Sequence, residues 1–232
     1  MNYKAVLDEI KSKSDPKYKE FNDKLIPNME DGFKSYGVRL PELKAMAKGL
    51  AKEEWEEFAA AAKGDSHEEL MLWGFVIAYA KAPVTEKFYH LDRFVPAIPN
   101  WAVCDSVTAA IKPKAGELAD FRAYIDKYLA SEREYEKRFA LVCLMDYYIN
   151  DEYVSDTLKI FSETESSFYY VKMAAAWGLQ ACFVKYKDLT LEYFTQGRIK
   201  DPWVNNKSIQ KIRESYKVSS EDKMTLAQYK KE

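Results

Sequence analysis

The strongest constraint on this chain is a recurrence. Apolar segments with helical spacing, "ELMLWGFVIAYAK", "NWAVCDSVTAAIK", "KRFALVCLMDYYI", "YYVKMAAAWGLQACFVKY" and the more polar "NKSIQKIRESYKV", return about every 33 to 39 residues. Between them lie amphipathic segments with a wet face: "EEWEEFAAAAK", "VTEKFYHLDRFV", "GELADFRAYIDKYL", "DEYVSDTLKIF" and "DLTLEYF". A hairpin of one apolar and one amphipathic helix is too small to bury its own face, so neighbours must share a core. The expected fold class is all-α, an α-solenoid of five or six HEAT-like helical pairs whose inner layer lines a concave groove.

Turn signals separate the segments at Lys81-Ala82-Pro83, Pro96, Pro99, Lys112-Pro113 and Asn150-Asp151. Asn100 and Asp151 are placed to cap the helices that follow them. Only eight Gly and eight Pro occur in 232 residues, with charges interspersed, so no linker separates independent domains. A single body over residues 1–232 is expected, with a short flexible tail from about 220, and a monomer.

The amino-terminal "MNYKAVLDEIKSKSD" holds no apolar run of signal-peptide length, and "MAAAWGLQACFV" is too short to span a bilayer. A cytoplasmic protein without membrane association is expected. Cys104, Cys143 and Cys182 form no CxxC and sit among apolar residues, which reads as reduced core thiols. With His67 and His90 the only histidines, neither a metal site nor a cofactor is expected.

A formal net charge of −2 gives no overall pull toward nucleic acid, but the charge is uneven. Residues 53 to 69 are rich in acid. The stretch from Arg198 to Lys217 carries Arg198, Lys200, Lys207, Lys211, Arg213 and Lys217 against Asp201 and Glu214. A polyanion would be held there.

The repeats fix a phase. Arg138 and Trp177 are 39 residues apart, as are Cys143 and Cys182, so Arg138 and Trp177 take equivalent places on neighbouring inner helices. Trp101 precedes Arg138 by 37 residues, which a shorter loop explains. A rival register aligns Cys104 with Cys143 and turns Trp101 and Asp105 to another face; the sequence leaves both open.

Trp101 and Asp105 are i,i+4 neighbours and share a helix face. Taken singly, each candidate has an ordinary reading: Trp101 and Trp177 as core, Asp105 bonded to a nearby Lys or Tyr, Arg138 snorkelling or core-paired. Taken together in the first register, two indoles, one carboxylate and one guanidinium line one groove. That set offers no nucleophile and no metal. It suits a cationic group beside a phosphate, since aromatic faces attract cations and arginine grips phosphate oxygens.

"NWAVCD", the arginine of "EKRFALVCLMDYY", the tryptophan of "YYVKMAAAWGL", "YGVRLPELKAMAK" and "NNKSIQKIRESYKVS" together resemble the DNA alkylation repair family of HEAT-like-repeat DNA glycosylases, the AlkD type. The likeness spans roughly residues 15 to 220 and lies in the order and spacing of short motifs. It implies that the groove binds duplex DNA containing alkylated purines, and that Asp105 is the catalytic carboxylate. It further implies that Trp101 and Trp177 line the lesion and that Arg138 contacts the phosphodiester backbone. Lys207, Lys211 and Arg213 join Arg138 as expected DNA contacts. The implied activity is hydrolysis of the N-glycosidic bond of N3- or N7-alkylated purines, with the lesion held in the duplex stack. Two other readings remain at this stage: a non-catalytic module binding nucleic acid or protein in its groove, and a purely structural solenoid.

Overall fold

The computed structural model describes residues 2–26 and 33–231. It is all-helical, and among the described residues no strand occurs. The chain divides into two compact units, one up to Lys127 and one from Tyr128.

The first unit contains α1 (Tyr3–Ser12), α2 (Pro16–Asp23), α3 (Leu40–Glu53), α4 (Trp55–Ala61), α5 (His67–Tyr79), α6 (Val84–Phe94), α7 (Trp101–Ile111) and most of α8 (Leu118–Leu129). In it α3 packs on α5 and α5 on α7, while α4 and α6 back α5 and touch each other. That is the layered packing of a helical-repeat solenoid. Helix α5 sits at its centre and is buried on every side from His67 to Ala78, which is why its sequence is apolar around the whole helix. Gly74 makes the α5–α7 contact possible: a Cβ there would lie 2.4 Å from Val107 Cγ2 and 2.6 Å from the Phe94 ring. With no side chain in the way, α7 comes down onto the α5 backbone.

Two carboxylates in the first turn of α5 hold the preceding loops. Glu68, 1% exposed, accepts from the amides of Tyr36 (3.0 Å), Gly37 (2.8 Å) and Val38 (3.2 Å). Glu69, equally buried, accepts from Lys63 (2.8 Å), Gly64 (2.9 Å), Asp65 (3.0 Å) and the Tyr3 hydroxyl. These acids belong to the architecture, since a buried carboxylate is tolerable only when its oxygens are saturated with donors.

The second unit contains α9 (Glu134–Tyr147), α10 (Val154–Glu163), α11 (Tyr169–Lys185), α12 (Lys187–Thr195), α13 (Pro202–Glu214) and α14 (Ser220–Ala227). Helix α11 is flanked by α9 and α13 and backed by α10 and α12. Gly178 serves there as Gly74 does in the first unit: its missing Cβ would lie 2.4 Å from the Phe161 ring of α10. The apolar segments of the sequence are thus α5, α7, α9, α11 and α13, and the amphipathic ones are α4, α6, α8, α10 and α12.

One detail differs from the sequence reading. Asp151 does not cap α10; it accepts from the Tyr186 hydroxyl at 2.6 Å, while Asn150 accepts from the amides of Glu152 and Tyr153 and shapes the turn. Within the acidic stretch of residues 53 to 69, Glu68 and Glu69 are buried. Toward the carboxy terminus Ser219 caps α14 by accepting from Asp222 N, and Asn206 exchanges two hydrogen bonds with the Lys231 backbone. The three cysteines are buried, as expected, and burial pushes the Cys182 thiol up to about 12. Among the described residues no helix is long and apolar enough to cross a membrane.

Candidate active site and nucleic-acid interface

In the first unit the candidate residues sit on α7. Asn100, fully buried, caps the helix by accepting from Val103 N at 3.1 Å, which fixes where the first turn begins and so where Trp101 points. Lys112 ends the helix in the left-handed conformation (φ 46°, ψ 64°), followed by Pro113, which cannot continue it. Between these stops Ala102, Val103, Cys104, Val107, Thr108, Ala110 and Ile111 are buried. Trp101, Asp105 and Ser106 are half-buried and Ala109 is exposed, so Trp101, Asp105 and Ala109 form the stripe that reaches solvent. The Thr108 hydroxyl donates to the Asp105 carbonyl at 3.0 Å, inside the helix.

This burial pattern can be set beside the two registers. With Trp101 set level with Trp177, Asp105 falls on Ala181, and all four positions are at least partly exposed. With Cys104 set level with Cys143 and Cys182, Trp101 and Asp105 fall on Leu179 and Phe183, both buried. On α9 the first register sets Trp101 and Asp105 level with Arg138 and Val142 and the second with Ala140 and Leu144, all four buried.

In the second unit Trp177 is 37% exposed on α11, in a stripe that also includes Tyr169 and the part-exposed Met173, Ala181 and Val184. The stripe continues into a cavity of about 470 Å³ that Gln180, Ala181 and Val184 form with Ser215, Tyr216 and Lys217. On α9, Arg138 is only 4% exposed; its guanidinium donates to the Tyr170 carbonyl at 2.7 Å and lies 5.8 Å from the Tyr170 ring centre. On α13, Lys207 and Lys211 are half-buried and Arg213 is exposed. Burial pushes the Lys211 ammonium below its usual range, and the charges of Lys207 and Arg138 push the same way against Glu214. Arg138, Lys207 and Lys211 therefore form one electropositive group within this unit, and Lys207 and Arg213 line one cleft on α13.

Two features escape a reading of the sequence. Trp203, one turn before Lys207, has the Lys172 and Lys207 ammonium groups over its ring at 5.1 and 5.7 Å and meets Tyr169 edge-on at 5.6 Å. Its i,i+4 spacing to Lys207 repeats that of Trp101 to Asp105 and is the signal that finds it. Tyr170 is the other, since its carbonyl is a partner of Arg138 and no side-chain pattern announces a carbonyl. Among the described residues no group of three or more His, Cys, Asp or Glu is placed to hold a metal ion.

Comparison with curated proteins gives no match. The family model described as DNA alkylation repair enzyme matches residues 6–217, nearly the whole chain, and that family is associated with a role in DNA repair. With its helical repeats, a carboxylate and an indole on the open stripe of α7 and a group of cations on α9 and α13, the chain belongs to the DNA alkylation repair enzyme family.

Proposed function

We propose that the protein is a monofunctional DNA glycosylase that hydrolyses the N-glycosidic bond of cationic N3- or N7-alkylated purines in duplex DNA. The observation that carries the reading is the pairing of Trp101 and Asp105 on the solvent-reaching stripe of α7 in a chain of this family.

Alkylation at N3 or N7 gives the purine a positive charge. When the C1′–N bond breaks, the base leaves with the bonding pair as a neutral molecule, so its departure needs little acid catalysis. Positive charge then develops on the deoxyribose. Asp105 stabilises that oxocarbenium-like charge and orients the water that attacks C1′, taking up the proton the water releases. Trp101 faces the cationic sugar and base with its indole, and Trp177 offers DNA an indole from the open stripe of α11. Arg138, held by the Tyr170 carbonyl, supplies fixed positive charge, and Lys207, Lys211 and Arg213 meet backbone phosphates.

Duplex affinity should accordingly fall steeply with salt, with a log–log slope of about −0.9 per phosphate neutralised. Lys211→Gln should make that slope shallower by about one contact in a fluorescence-polarisation titration. A wild-type slope near zero would point instead to a protein-binding module.

A further inference from the structure

The α13–α14 cleft, a cavity of about 590 Å³ within the second unit, has an unbalanced lining. Lys207 and Arg213 of α13 face Lys223 of α14 and Lys230 beyond it, with Trp203 at one end and Glu214 as the acid of the set. Glu214 accepts from the Gln210 amide at 2.8 Å, and Lys207 donates to the Gln210 carbonyl oxygen at 2.9 Å. Among the described residues none of the four cations makes an ion pair. Three other lysines of this unit are matched: Lys187 with Asp222 at 3.1 Å, Lys200 with Glu163 at 3.7 Å and Lys172 with Asp201 at 3.8 Å.

Four cations around one cavity repel one another, and the fold holds them there nonetheless. Asn206 fixes the segment bearing Lys230 through its two hydrogen bonds to Lys231, at 2.7 and 2.8 Å. Asn205, fully buried, donates to the Tyr229 carbonyl at 2.9 Å. The α14 wall of the cleft is therefore set by the backbone. Both α14 and Lys230 lie beyond residues 6–217, the stretch that matches the family.

We propose that the α13–α14 cleft is a phosphate-binding site that holds a backbone phosphodiester of duplex DNA, with Lys223 and Lys230 as contacts supplied from outside the family region. The inference rests on the reading of the protein as a duplex-DNA enzyme and extends its DNA contacts past Arg213. Trp203, already overlain by Lys172 and Lys207, gives those cations a fixed apolar platform beside the phosphate.

The test is a salt titration of binding to an unmodified duplex by the full chain, comparing wild type with the Lys223→Gln, Lys230→Gln double variant. Loss of two phosphate contacts should make the log–log slope shallower by roughly 1.8, with affinity reduced at low salt and converging on wild type at high salt. Lys52→Gln, an exposed lysine of α3, should leave the slope unchanged. Lys230→Glu, at an exposed position, gives a second variant with the same expected direction should the double variant melt early. If wild type binds and the variants keep its slope and affinity, the cleft is not a phosphate site and the proposed function stands. If wild type does not bind duplex DNA, both fail.

Discussion

Asp105→Asn is expected to slow base release roughly a hundredfold, about 3 kcal/mol of transition-state stabilisation, while duplex affinity stays within about twofold of wild type. The substitution keeps the size of the side chain and its place on the open stripe of α7. It removes the charge that opposes the cationic sugar and the basicity that accepts a proton from water. The loss should appear in the single-turnover rate with saturating enzyme, because the interaction strengthens only as the C1′–N bond breaks. Equal rates for variant and wild type would take Asp105 out of the mechanism. A non-catalytic module would show no release to lose.

Glu68→Ala should produce the largest loss of stability. The change leaves the amides of Tyr36, Gly37 and Val38 without their acceptor in a site that is 1% exposed. Removing one side of a buried, charge-assisted network costs about 3–5 kcal/mol, and in a chain of this size the midpoint of thermal unfolding should fall by roughly 6–15 °C. Glu68→Gln should be milder. It keeps one acceptor oxygen but sets an amide group against a backbone donor, because Oε1 serves Gly37 and Val38 while Oε2 serves Tyr36. A melting midpoint within about a degree of wild type for the alanine variant would show that the loop is held by other contacts.

The helical pairs are legible in the sequence because burial on one side of a helix imposes a period, and repetition of that period leaves few alternatives. The face shared by Trp101 and Asp105 is legible for the same reason, helped by Asn100, whose capping role follows from its side chain. What is not legible depends on partners distant in sequence or carried by the backbone. Arg138 can be singled out as the charge at the head of an apolar run, but its burial depends on the carbonyl of Tyr170 in the next repeat. Glu68 and Glu69 do not stand out within an acidic stretch because their partners are loop amides, which have no side-chain signature. The placement of the segment after Ser219 rests on Asn205 and Asn206, which in the sequence are two polar residues on a polar helix.

The central claim is that this chain breaks a glycosidic bond, and the measurement that meets it directly is base release by the purified protein. Duplex DNA methylated at N7 of guanine and N3 of adenine is incubated with excess enzyme, and the freed bases are separated and quantified against a protein-free control. Release of N7-methylguanine and N3-methyladenine well above spontaneous depurination, abolished in large part by Asp105→Asn, is the predicted result. Binding of the same duplex with release no faster than the control would contradict it.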